Sequence, residues 1–109
     1  MKVRAALLSL MLCIPALDAH AAPITTRGIS SCGAWINDNN GNAESTLSGL
    51  WLVGFLSGMA IASNTDVLTN TDYPSAILWM NNFCRLNPLA NTGSGGLVLF
   101  NELKKRAGK

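Results

Sequence analysis

The chain has 109 residues, of which 49% are hydrophobic and only 13% charged, with a formal net charge of +2. A typical soluble domain carries roughly 25% charged residues, so this composition excludes a charge-rich disordered chain. It also excludes a strongly basic nucleic-acid binder, and the length allows one domain.

The N-terminus reads Met1-Lys2-Val3-Arg4, then an apolar run from Ala5 to Leu17, then Ala19-His20-Ala21. A charged start, a short apolar core and an A-x-A site spell a secretory signal peptide covering residues 1–21, with cleavage after Ala21. The rival reading makes Cys13 a lipidated first residue, but Leu12 precedes it where a small residue is wanted, and the apolar run continues past it. Export implies a periplasmic protein, and residues 22–109 form its single domain. Six basic and five acidic residues remain there, and Lys104, Lys105, Arg106 and Lys109 crowd the last six positions. The mature chain is thus a mildly acidic body with a basic tail. That tail reads as a helix end whose cations suit the negative pole of the helix dipole, or as a partner-binding tail.

Cys32 and Cys84 are the two cysteines left after cleavage. An even number in an exported chain points to a disulfide, and no C-x-x-C spacing supports a redox pair. Closing a loop of about 50 residues contributes on the order of 4 kcal/mol in the chain-entropy model. That is a large term for a domain with so small a core.

In chain order, residues 22–31 read as an extended, flexible leader. A short helix follows over Cys32–Asn37, carrying Trp35, and Asp38-Asn39-Asn40-Gly41-Asn42 is a turn. Glu44 to Ser63 has no proline, and no charge after Glu44, which predicts a helix that is apolar nearly all round from Leu50 to Ala62. Such a helix must be covered on more than one side. It is at the short limit for a membrane span, so a buried central helix is the preferred reading. Gly54 and Gly58 form a G-x-x-x-G, read as a place where another backbone comes close.

Asn64–Tyr73 is a polar connector. Pro74 then opens a helix over Ser75–Leu86, with Asp72 or Tyr73 at its cap and Asn87-Pro88 as its stop. Ile77, Met80 and Cys84 share one stripe of it, and Ala76, Trp79 and Phe83 the next. Asn91–Gly96 reads as a loop and cap, the glycines serving as a hinge or cap rather than an anion cradle. A last helix over Gly95–Arg106 turns Leu97, Phe100, Leu103 and Leu99 inward. No segment alternates like a strand. The expected fold is all-α: three main helices and a short N-terminal one, stapled by one disulfide.

The mature chain has no histidine, since His20 leaves with the signal. Ser-His and Cys-His nucleophile pairs and nearly all zinc sites go with it. Asp66 and Asp72 share a connector, but both have simpler roles as caps. No catalytic residue, metal site or cofactor is therefore expected, and the chain reads as a non-enzyme. What it offers instead is apolar surface. A helix apolar on all sides is hard to cover within one small domain, so a homodimer, or a groove for a client or partner protein, is expected. Trp51, Phe55, Met59 and Trp79 are the candidate interface residues.

Cys32 near the start, and Asn82-Phe83-Cys84-Arg85-Leu86-Asn87-Pro88-Leu89 ending a helix, resemble the HdeA/HdeB-type periplasmic proteins. The cysteine followed by a basic residue and Asn-Pro is similar to the HdeB version in particular, and Trp51, Gly54 and Phe55 fit loosely. The likeness covers residues 32–106 in layout and 83–89 in letters. It implies a small helical acid-stress chaperone, dimeric near neutral pH, that loosens in acid and holds unfolded clients. Five carboxylates and no histidine are all that could titrate, so the fold can follow the resemblance without the acid switch. A second resemblance, through Gly54–Gly58 and Asn87-Pro88, is to the Rap and Tai immunity proteins, which implies binding and inhibition of a secreted cell-wall hydrolase. A purely structural or assembly role in the envelope is the third reading.

Overall fold

A computed structural model of the chain describes residues 22–38 and 47–108. Within them the fold is four helices: α1 (Cys32–Asp38), α2 (Leu47–Ala62), α3 (Tyr73–Leu86) and α4 (Thr92–Arg106). No strand forms among the described residues; one isolated antiparallel bridge pairs Ser31 with Asn91. The expected signal segment with Cys13 and His20, the expected turn at Asn39–Asn42, Glu44 and Lys109 lie outside the described residues.

The boundaries follow from local chemistry. Asp72 caps α3 by accepting a hydrogen bond from the Ser75 backbone N–H at 2.8 Å, and Pro74 fills the first turn, where its missing N–H costs nothing. Asn87 ends that helix, with Pro88 next in the chain. Asn91 caps α4 by accepting from the Ser94 N–H at 2.9 Å. Lys104, Lys105 and Arg106 occupy its last turn, where the dipole favours cations.

α1 has seven residues, too few to be stable alone. Three things hold it. Ser31 caps it, accepting from the Ala34 N–H. Cys32 is bonded to Cys84 on α3. Trp35 is completely buried, and its indole N–H donates to the Asn81 side-chain oxygen at 2.7 Å. The core continues through Leu52 and Leu56 of α2, Ile77 and Met80 of α3, and Leu99 and Phe100 of α4.

Three sequence expectations are corrected. α4 begins at Thr92, so Gly93–Gly96 form its first turn and not a loop. Glycine is a poor helix former, but these three glycines seat side chains from other elements. Ile29 lies against Gly93, Met80 and Phe83 against Gly95, and the Phe55 ring against Gly96. Leu97 does not turn inward; it is half exposed, because Gly95, Gly96, Leu99, Phe100 and Leu103 already form the buried face. Gly54 and Gly58 meet no close backbone: a Cβ built at either would find nothing within 4 Å.

The second half of the leader is docked. The Cys32 N–H donates to the Ala90 carbonyl and the Thr92 N–H to the Ser30 carbonyl, both at 2.9 Å. The Ser30 N–H donates to the Thr92 hydroxyl. At Gly28 the backbone takes a positive φ of 83°, which suits glycine, and the Trp51 ring covers it.

Candidate functional site

Every position from Leu47 to Thr65 is uncharged, so α2 has no sequence-coded polar face. The tertiary structure decides which sides are covered. α2 packs across both α3 and α4, and its fully buried residues are Gly49, Leu52 and Leu56.

On one flank Trp51, Phe55 and Met59 follow one another at four-residue spacing. The Trp51 and Phe55 rings stack with centroids 5.1 Å apart. The Trp51 indole N–H donates to the Arg27 carbonyl at 2.6 Å, and Phe55 sits on Gly96. Met59 packs partly buried against the core. Trp79 is not brought to this group. It lies on α3, stacked on Phe83 at 5.5 Å, and its indole N–H donates to a Glu102 carboxylate oxygen at 2.9 Å. The structure thus divides the four expected interface residues between two places and gives each a partner within its own chain.

The uncovered side of α2 lies opposite its buried side. Leu47 is 86% exposed, Leu50 61% and Ile61 82%. Gly54 and Gly58 are exposed between them. These five positions step by three or four residues and so share one stripe. Ser57, at its edge, donates its hydroxyl to the Val53 carbonyl at 2.7 Å. The polar group nearest the stripe is therefore satisfied within the helix. Sequence reasoning registered a spare face but assigned it to the aromatics. The signal it lacked was where the leader and Gly96 lie, which no spacing encodes.

The remaining charged chemistry is local. Glu102 accepts from Trp79 and pairs with Arg106 one turn along α4. The Trp79 bond first, and the Arg106 bond second, hold its carboxyl below the usual range. Hydrogen bonds from Ser75 lower Asp72 in the same way. Asp66 accepts from the Thr69 hydroxyl, so each of the two connector aspartates serves its own turn. Two shallow cavities of about 220 Å³ each flank Arg106, one lined by Asp66 and Thr69, the other by Ser75 and Trp79. Among the described residues no three His, Cys, Asp or Glu side chains cluster as a metal site would need. No helix there is long and apolar enough to cross a membrane. The chain matches no protein-family model, no curated protein and no solved structure.

Proposed function

We propose that the chain is an exported protein-binding module without catalytic activity, acting in the periplasm as a homodimeric stress chaperone of the HdeA/HdeB kind. The observation that carries this reading is the uncovered stripe of α2. An uncharged, largely apolar helix face on a disulfide-stapled frame binds protein surfaces through area and not through specific charges. The staple supports the same reading, because it lets helices loosen while their ends stay tied. The test is a pH series on the mature chain, from neutral to about pH 2, where carboxylate-dependent stability is lost. It should follow dimer mass and the aggregation of an acid-sensitive client. Protection of the client on acidification is the expected result. A species that protects no client at any pH would overturn the chaperone reading. Capture of a single stoichiometric hydrolase would replace it with the immunity-protein reading.

A further inference from the structure

We propose that the seam between Trp51 on α2 and the first turn of α4 is a groove for an extended polypeptide segment, which the chain's own residues 27–30 occupy as a strap that a partner's segment displaces. This rests on the protein-binding reading above and gives it a site and a ligand chemistry.

Three observations carry it. First, the strap is held through its backbone. The Arg27 carbonyl accepts from the Trp51 indole at 2.6 Å. The Ser30 N–H donates to the Thr92 hydroxyl at 3.0 Å, and the Ser30 carbonyl accepts from the Thr92 N–H at 2.9 Å. Bonds of this kind accept any segment of the right shape, as when a peptide adds to a sheet edge. Second, the strap brings no side chain into the core: residues 22–29 are exposed and Ser30 is half-buried. The groove, by contrast, is built into the fold. Thr92 is buried, and its N–H lies in the first turn of α4, where no partner exists within the helix. Third, the strap is fixed at one end only. Cys32 is bonded to Cys84, and its N–H donates to the Ala90 carbonyl. Residues before Ser31 can therefore leave while α1 keeps its anchors.

The seat also defines what fits it. Gly28 takes its positive φ beneath the Trp51 ring, where a side chain would be both strained and blocked. Ile29 rests on Gly93. The Ser30 hydroxyl lies 3.3 Å from the Ser48 hydroxyl, which leaves room for a small residue. The ligand is accordingly an extended polypeptide that reads glycine, aliphatic, small polar.

The experiment uses the mature, disulfide-bonded chain and opens the groove with Gly28→Val. Amide hydrogen exchange should show the Thr92 N–H losing protection by about tenfold or more, with the Trp35 and Met80 amides as in wild type. The probe is a fluorescein-labelled peptide with the sequence of residues 24–31, followed by anisotropy. It should bind Gly28→Val saturably and the wild type at least about tenfold more weakly, because the tethered strap competes. The same peptide N-methylated at its Ser30 position should not bind. Ser30→Pro, which removes the N–H that Thr92 accepts, is a second route to the open groove and should give the same result. Unchanged Thr92 protection in both folded variants overturns the proposal. So does an open groove that takes no peptide, equal binding to wild type and variant, or binding of the N-methylated peptide. Loss of the fold in both variants also overturns it, since a strap that folding requires is not displaceable. Client protection by a chain whose open groove takes no peptide would sink this inference alone. Peptide binding without client protection would sink only the chaperone reading.

Discussion

The Trp79 indole N–H on α3 donates to the Glu102 carboxylate on α4, and Glu102 also pairs with Arg106 on its own helix. One carboxylate therefore ties two helices at the rim of the core. Its folded-state pKa is held below its ordinary value of 4.5. A depressed carboxylate stabilises the fold above its unfolded pKa and loses that contribution as pH falls through the folded value.

Replacing Glu102 by Gln keeps an acceptor for Trp79 but removes the titration. Melting temperature followed from pH 7 to about pH 2 should fall less steeply below about pH 4.5 in Glu102→Gln than in wild type. Above that range the variant should be slightly the less stable of the two, because a charge-assisted bond becomes a neutral one. Parallel pH profiles for the two proteins would show that this contact does not sense acid.

The disulfide anchors the shortest helix. α1 brings to the core only Cys32 and Trp35 as buried residues, and Cys84 is the last buried residue of α3. Cys32→Ser with Cys84→Ser should lower unfolding stability by about 4 kcal/mol in the chain-entropy account. Urea titration of the oxidised and double-serine proteins measures it. A loss below about 1 kcal/mol would mean that the reduced chain keeps the ends together by packing alone.

Most of this fold is legible in the sequence because its punctuation is strong. Asp72-Tyr73-Pro74 starts α3 and Asn87-Pro88 ends it, while Ile77, Met80 and Cys84 repeat at helical spacing on the buried face. α2 is legible as a helix but not in its facing. With apolar residues all round, nothing local separates Trp51 from Leu50. What separates them is the leader, which brings the Arg27 carbonyl to the Trp51 indole across 24 residues of chain. The Gly93–Gly96 turn misleads for the same reason. Its low helix propensity is a local property, and the side chains seated on it come from the leader, α2 and α3.

The glycines yield a paired prediction. A methyl group at Gly96 would stand 2.9 Å from two Phe55 ring carbons, inside the core. Gly96→Ala should destabilise by about 1–3 kcal/mol through overpacking. Gly58 lies in open space on α2, so Gly58→Ala should stabilise the monomer by about 0.5–1 kcal/mol through helix propensity. Thermal unfolding at micromolar concentration compares them. Equal and same-signed effects would refute the division between glycines that seat a side chain and glycines in open space.

Tyr73 opens α3 and lies against Gly49 of α2, with its hydroxyl buried and without a hydrogen-bond partner among the described residues. Burying an unsatisfied hydroxyl costs about 1–3 kcal/mol, whereas the ring itself packs favourably against the core. Tyr73→Phe removes the polar atom and keeps the ring. It should raise stability by about 1 kcal/mol, read as a higher urea midpoint with an unchanged slope. Tyr73→Ala is the control for the ring: it should lower the midpoint by opening a cavity between α2 and α3. If Tyr73→Phe destabilises instead, the hydroxyl has a partner that secures the α2–α3 contact, and the stability of that contact depends on a polar bond as well as on packing.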